Sequence, residues 1–370
     1  MKIIKIISAI LLISFYSTTI AKPNPTSAIT INGEGSTVIY ALMSYWTHEY
    51  KTHVPQVKIN HVGSGSGIGI KMLRDKTVDF AASEMPIDKK ILDQNGWTEF
   101  PIAISPLEII YNLPKISGNK LILDGSVIAD IYMGKITYWD DPAIKRLNPK
   151  LTLPHHMIKI IYRSNESGTN YTFSKWLEKV SPDWAIKHDG NLLLNYLAKN
   201  KIGVNSSDAL AKVVKGLSYS IGYCDYNAAE AQNLSMASLI TEADNEDAKY
   251  LVRPGLLSAY AGLVNVSSSN FESSNLDLIS LPGSNSWPVM MATYVIIPTK
   301  QEKSNLAKLN QMLKFFLWTL KRGGSYASDL KYIPIPDKFT KDVIQSWEKS
   351  IPGIDFDKLI LNVNQMNAYS

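Results

Sequence analysis

The segment from Arg163 to Thr169 carries the residue types that bind a small oxyanion. It reads Arg-Ser-Asn-Glu-Ser-Gly-Thr and lies between an expected strand and an expected helix. A helix that begins at Ser167 or Gly168 leaves its first backbone N–H groups without partners inside the helix. Those N–H groups, two hydroxyls and the Arg163 guanidinium would converge on one point. A simpler interpretation, a capped turn with a surface arginine, fits the segment as well.

The residues on either side of this segment predict the elements that position it. Residues 158–162 are dense in β-branched side chains, which is typical of a buried strand. After the segment, Phe173, Trp176, Leu177 and Val180 are spaced as on one face of a helix. The segment would therefore lie where a strand ends and a helix begins.

The first part of the chain shows the same order of strand, glycine-rich turn and helix. We predict strands at residues 28–32, 57–62 and 78–82, with a helix after each of the first two. This order is typical of an α/β domain with a largely parallel sheet. In such sheets ligands bind at the carboxyl ends of the strands.

Three strand–helix turns combine hydroxyl groups with glycine, at residues 35–37, 65–67 and 167–169. One such turn is weak evidence for a site. Together with Arg163 and the strand-end Glu84, the three predict a fully enclosed tetrahedral anion.

The amino terminus predicts export. Lys2 and Lys5 precede an apolar run at residues 6–15, and small residues stand before a cleavage position after Ala21. The run is shorter than the ~20 residues that span a bilayer. We therefore expect residues 1–21 to be a signal peptide and the mature protein to be periplasmic. No cysteine stands near the cleavage position, so no lipid anchor is expected.

The composition limits the other classes of function. The chain has 370 residues, of which 45% are hydrophobic and 19% charged, with a formal net charge of +5. That charge is too mild to predict a nucleic-acid partner. The single cysteine, Cys224, allows no intramolecular disulfide, and we expect it to be a small buried hydrophobe. His48 and His53 are five residues apart and would not share a helix face, so no metal site is predicted.

Two further strands divide the chain. Residues 107–112 and 293–297 both read as strong strands, and each is expected to cross between two domains. Residues 26–110 with 293–370 would form lobe I, and residues 111–292 would form lobe II.

The chain resembles the periplasmic phosphate-binding proteins of ABC-type phosphate importers. The matching segments, in order, are 33–37, 63–69, 78–84, 123–125, 131–136, 139–141, 163–169, 221–223, 286–288 and 313–316. The resemblance implies the α/β, type II periplasmic-binding-protein fold. In this fold two lobes, each a mixed sheet flanked by helices, are joined by a hinge that the chain crosses twice. It also implies a monomer that closes on inorganic phosphate, uses no cofactor, performs no catalysis, and delivers phosphate to the membrane permease and ATPase subunits.

The resemblance also implies which residues contact the ligand. By position they are Ser36, Thr37, Val38, Ser66, Arg163, Ser167, Gly168 and Thr169. Glu84 stands where the family usually has Asp, and Asn165 stands beside Arg163 where the family often has Asp. Val38 replaces a commoner aromatic residue. We expect Arg163 to offer more than one N–H to the anion, and Glu84 to accept the proton that phosphate carries near neutral pH.

Other functions stay open from the residues alone. A binding protein for sulfate or molybdate would use a similar set of donors. An exported phosphate-ester hydrolase would need a base or a metal next to a serine or threonine, and we count no histidine as near the three turns in the sequence. An extracytoplasmic adhesin whose pocket has lost its function is a further alternative.

Overall fold

Strands and helices alternate along the chain. The computed structural model describes residues 28–188, 199–242, 249–264, 266, 276–299 and 305–366, and the predicted signal peptide lies outside them. The strands are β1 (Ile29–Gly35), β2 (Val57–Gly63), β3 (Phe80–Ser83), β4 (Trp97–Asn112), β5 (Ile122–Asp124), β6 (Lys159–Arg163), β7 (Lys201–Val204), β8 (Ser220–Asp225), β9 (Ser235–Met236), β10 (Ser238–Glu242), β11 (Lys249–Val252), β12 (Met290–Pro298) and β13 (Ile333–Pro334). The helices are α1 (Tyr40–His53), α2 (Ser66–Arg74), α3 (Lys89–Asn95), α4 (Gly125–Tyr132), α5 (Pro142–Leu147), α6 (Gly168–Val180), α7 (Pro182–His188), α8 (Ser207–Gly216), α9 (Tyr226–Ala231), α10 (Leu256–Leu263), α11 (Leu306–Arg322), α12 (Gly324–Asp329), α13 (Asp337–Ser350) and α14 (Phe356–Gln365).

The main sheet is mixed and has two parallel parts. Its strand order is β2-β1-β3-β12-β4-β8-β6-β7, and β9 and β13 pair with β4 outside this path. The pairs of β1 with β2 and β3 are parallel, as are the pairs of β6 with β7 and β8, whereas β12 and β4 are antiparallel. We call the part around β1–β3 the first lobe and the part around β6–β8 the second lobe. The predicted two-lobed α/β fold is confirmed, and β4 joins the two sheets into one.

Strand β4 is longer than the sequence predicts. It pairs with β12 over residues 97–106 and with β8 over residues 107–112, so the predicted strand is only its second part. Pro101 and Pro106 interrupt the strand pattern, because proline is disfavoured inside a sheet. The register between β4 and β12 shifts between Thr293 and Tyr294, opposite Pro101. This irregularity accommodates the proline inside the paired strand.

The helices that cover the first lobe bury one apolar face each. In α1, Leu42, Met43, Trp46 and Tyr50 are all buried. The residue that follows the carboxyl end of α11 is Gly323. Gly323 has a φ of −74° rather than a left-handed conformation, and a Cβ there would lie 2.6 Å from the Trp46 indole nitrogen. Close packing of the two helices, rather than a glycine cap, therefore requires this residue.

Two other predictions concern the single cysteine and the places where the chain crosses between the lobes. Cys224 is a free, buried cysteine, as expected. The predicted crossings near Ile110 and Thr293 fall within β4 and β12, while the division into residue ranges stays a prediction.

Candidate anion-binding site

The loops that carry the predicted site residues lie at the carboxyl ends of parallel strands. In the first lobe, Ser36 and Thr37 follow β1, Ser66 comes shortly after β2, and Glu84 directly follows β3. In the second lobe, Arg163 is the last residue of β6, and α6 begins after a short turn. Both lobes therefore present polar side chains at the same place between them.

The carboxyl group of Glu84 is surrounded by hydroxyl groups. Its Oε1 accepts hydrogen bonds from Ser36 Oγ and, at 2.9 Å, from Thr293 Oγ1, and its Oε2 accepts one from Ser66 Oγ at 3.1 Å. Glu84 is only 3% exposed. Burial raises the pKa of its carboxyl group, which the three hydroxyls and Arg163 lower. With three donors on four lone-pair positions, one position is left to accept a proton from a ligand.

The hydrogen-bonding groups of Ser36 already have partners within the protein. Its hydroxyl accepts hydrogen bonds from Val38 N at 3.1 Å and Ile39 N at 3.3 Å in the turn before α1, and it also donates to Glu84. Its backbone N–H donates to Ala82 O at 2.8 Å. An anion contact from Ser36 or Val38 therefore requires an exchange of these hydrogen bonds, and their assignment as ligand contacts stays a prediction.

Arg163 is held in place by neutral acceptors. It is 1% exposed, and no other lysine or arginine in the described ranges is buried. Its Nε donates to Asn165 Oδ1 at 3.2 Å, Nη1 to Thr37 Oγ1 at 3.3 Å and to Ser207 Oγ at 3.4 Å, and Nη2 to Asn205 O at 3.0 Å. A guanidinium has five N–H groups. One N–H on Nη2 has no acceptor and could donate to an anion. For Arg163 to donate a second N–H to the anion, Nη1 would have to give up its long hydrogen bond to Thr37 or to Ser207.

The start of α6 contains buried donors that have no partner. Gly168 N donates to Ser66 Oγ at 3.3 Å. The Ser167 and Thr169 hydroxyls and the Asn165 Nδ2 are buried without any hydrogen bond. Leaving a buried donor unpaired costs about 1–3 kcal/mol. Unpaired donors at the positive end of a helix dipole suit an anion that would accept from them.

The two lobes touch each other at this site. A Cβ on Gly168 would lie 2.5 Å from Glu84 Cβ and 2.8 Å from Glu84 N. Gly67 N also donates to Glu166 O at 3.3 Å. Together with the Arg163–Thr37 contact, these bonds cross from one lobe to the other. All of the site residues predicted from the sequence lie in this one connected group, although their roles as ligand contacts stay predictions.

Several residues of the site were missed by the sequence interpretation. Asn205 and Ser207, at the start of α8, hold Arg163, and Thr293 orients Glu84. Asn170 Nδ2 donates to Arg163 O at 2.8 Å, and Tyr223 OH donates to Asn170 Oδ1. A threonine inside a strand and a serine at a helix start are common features, so no local signal distinguishes them. The pairing of β7 with β6 brings Asn205 and Ser207 to Arg163, and the pairing of β12 with β3 brings Thr293 to Glu84.

One expectation about histidine was wrong. His61 Nε2 lies 3.0 Å from the backbone oxygen of Ser36, so a histidine does border one of the three turns. It contacts a carbonyl rather than a hydroxyl, and its Nδ1 is buried without a partner. His61 therefore supports the backbone of the turn and is not placed to activate a serine. Among the described residues, no three His, Cys, Asp or Glu side chains cluster as metal ligands.

A two-lobed α/β protein with buried anion donors between its lobes is the architecture of a solute-binding protein. The family model described as a PBP superfamily domain matches residues 21–320. The phosphate-binding protein PstS of Xylella fastidiosa (strain Temecula1) is 33% identical over 331 residues, covering 90% of this chain and 88% of the relative. The chain belongs to the PstS family of the PBP superfamily.

Solved structures share the fold at lower identity. A phosphate-binding protein from Stenotrophomonas maltophilia aligns with a TM-score of 0.63 and 16% identity, over 85% of this chain and 92% of that one. An ABC-type phosphate transport receptor from Vibrio cholerae aligns with a TM-score of 0.51 and 17% identity, over 83% of this chain and all of the other. Within the described ranges, no helix has the length and apolar character needed to cross a membrane.

Proposed function

We propose that this protein captures inorganic phosphate between its two lobes and delivers it to an ABC phosphate importer. The observation that carries the proposal is the group of buried, unpaired donors, Ser167 Oγ, Thr169 Oγ1 and Asn165 Nδ2, beside the buried Arg163 guanidinium. These donors suit the oxygens of a tetrahedral anion, which would pair all of them at once. The PstS relatives support phosphate as that anion.

The proposed ligand contacts are the residues predicted from the sequence. They are Ser36, Thr37, Val38, Ser66, Glu84, Arg163, Ser167, Gly168 and Thr169, with Asn165 supporting Arg163. Glu84 favours phosphate over sulfate, because a carboxylate accepts the proton of phosphate and repels an anion that has none.

The proposal includes a place in the cell and partners. The charged and apolar pattern of residues 1–21 supports export to the periplasm, and the name of the Vibrio cholerae neighbour supports a role in ABC transport. The partners would be the permease and ATPase subunits of the importer. We further propose that the protein binds phosphate without chemically changing it.

The decisive experiment is calorimetric titration of the mature chain with phosphate, sulfate and molybdate, together with a hydrolysis assay on p-nitrophenyl phosphate. We expect phosphate to bind at least about 100-fold more tightly than sulfate, because sulfate has no proton to donate to the buried carboxylate of Glu84. We expect the phosphate ester to stay intact. Tighter binding of sulfate or molybdate would make the protein a receptor for that oxyanion. Hydrolysis would identify an enzyme, and binding of none of the anions would overturn the proposal.

We expect Glu84→Gln to lose most of the discrimination between phosphate and sulfate. The amide keeps the shape of the side chain but turns one acceptor into a donor, which pairs with an oxygen of sulfate rather than repelling it. The ratio of the two dissociation constants should fall by about 10-fold or more. Calorimetric titration of both anions measures that ratio.

Glu108→Gln is the matched control for this substitution. Glu108 is also a fully buried carboxyl group, but it accepts from Gly255 N at 3.1 Å and from none of the site residues. The control should leave the ratio unchanged. If Glu84→Gln left it unchanged as well, Glu84 would have no part in selectivity.

A further inference from the structure

The buried charge of Arg163 has no carboxylate among its hydrogen-bond acceptors. Asn165, Thr37, Ser207 and the Asn205 backbone are all neutral. A buried cation is costly unless a negative charge lies close by. The negative charge must therefore belong to a nearby residue that forms no hydrogen bond with Arg163.

Asp225 is placed to supply this charge. Strands β6 and β8 are parallel neighbours in the register Ile160↔Ile221, so Arg163 and Asp225 both lie at the carboxyl ends of adjacent strands. Asp225 is 2% exposed. Burial lowers the pKa of the Arg163 guanidinium, and the neighbouring Tyr223, Glu84 and Asp225 raise it.

The two oxygens of the Asp225 carboxyl group have different surroundings. Oδ1 accepts from Ala228 N at 2.9 Å and so caps α9. Oδ2 is buried and has no hydrogen-bond partner. Oδ1 therefore has a structural role, whereas Oδ2 is a buried acceptor with no partner of its own, and the Ser207 side chain lies close enough to the carboxyl group to lower its pKa.

Ser207 links the two residues. Its hydroxyl accepts from Arg163 Nη1 and also lowers the pKa of Asp225, whereas burial, the larger effect, raises that pKa to about 6. The other ionisable groups that interact with Asp225 are Glu84, whose charge raises its pKa, and Tyr332 and Cys224. Burial raises the pKa of Tyr332 and Cys224 well above their usual values, so both stay neutral near pH 7.

We propose that Asp225 sets the charge of the anion site, so that protonation of its carboxyl group strengthens anion binding. The inference deepens the proposed function and rests on it. An ionised Asp225 offsets the Arg163 charge that attracts the ligand, and it repels the ligand directly. A protonated Asp225 does neither.

The direction of the pH dependence follows from linkage. An anion bound nearby disfavours the ionised form of Asp225, so binding raises the pKa of Asp225 above its value of about 6. The contribution of Asp225 to affinity is therefore most favourable below that pKa and is lost as the pH rises through it.

The test compares the phosphate affinity of the wild type with that of Asp225→Asn from pH 5 to pH 8. Asparagine caps a helix about as well as aspartate and carries no charge. Phosphate changes its own protonation over this pH range in the same way for both proteins. The ratio of the wild-type to the variant dissociation constant is therefore independent of that change. We expect this ratio to be near one at pH 5 and to rise about fivefold by pH 8, the effect of one screened charge nearby.

Two further variants make the result specific. Asp355→Asn is the matched control, because Asp355 caps α14 through Lys358 N at 3.0 Å in the same way but is exposed. Its ratio should stay near one at every pH. Asp225→Ser, another neutral cap, should reproduce the asparagine result if the asparagine variant does not fold.

The outcomes separate this inference from the proposed function. If the wild type binds phosphate and the neutral variants bind it equally well at pH 8, the inference is overturned and the proposed function stands. Weaker binding by the variants at every pH would also overturn it, because Asp225 would then act by positioning. If the wild type bound no phosphate, both would fall.

Discussion

Replacing Arg163 with alanine is expected to weaken phosphate binding by about 3–5 kcal/mol, or more than 100-fold. Arg163 is the only buried lysine or arginine in the described part of the chain, and the substitution removes a charge-assisted donor from a site closed to water. Calorimetric titration with phosphate measures the loss. A loss below tenfold would contradict the assignment of Arg163 to the ligand.

Two other variants show whether the loss of affinity comes from the charge of Arg163, from its planar group of donors, or from the removal of any arginine. Arg163→Lys keeps the charge but not the planar fork of donors, so its affinity should lie between those of the wild type and the alanine variant. Arg146→Ala removes an exposed arginine from α5 and should leave affinity unchanged. A thermal melt of each variant checks that the second lobe still folds, because Arg163 also bonds Asn205 O.

A single methyl group at position 168 is expected to reduce phosphate affinity by about 100-fold or more, because Gly168→Ala prevents the lobes from meeting. The added Cβ would lie 2.5 Å from Glu84 Cβ and 2.8 Å from Glu84 N, and a backbone atom cannot move aside as a side chain can. Alanine is a better helix former than glycine, so α6 itself should not be destabilised. Titration calorimetry gives the affinity, and small-angle scattering with phosphate gives the closed or open state.

Gly216→Ala is the control for this effect. A Cβ on Gly216, at the end of α8, would have no atom within 4 Å. Its affinity and its scattering should match those of the wild type. Full affinity in Gly168→Ala would show that the contact between Gly168 and Glu84 is not needed for binding.

The local parts of the site could be predicted from the sequence. The helix after Arg163 begins at Gly168, as the unpaired N–H argument requires, and Phe173, Trp176 and Leu177 are buried. Val180 is only half-buried, because it lies in the last turn of α6. Predictions of this kind succeed because hydrophobic spacing and turn residues act over a few positions in the chain.

The long-range parts could not be predicted. Ser207 and Thr293 are brought to Arg163 and Glu84 by strand pairing across 44 and 209 positions of the chain. Nothing in their own sequence context distinguishes them from other serines and threonines. The resemblance to a family implies which residues contact the ligand, but it does not indicate the residues that bond to them, such as Ser207 and Thr293.

Strand β4 has a consequence for how the molecule can be divided. Its first part pairs with β12 and its second part with β8, so one continuous strand is internal to both lobes. A fragment that contained only one lobe would either lose a central strand or carry an unpaired one, and a long open strand edge invites aggregation. The lobes are thus not interchangeable modules. A substitution that disturbs β4 therefore affects the sheet of both lobes at once.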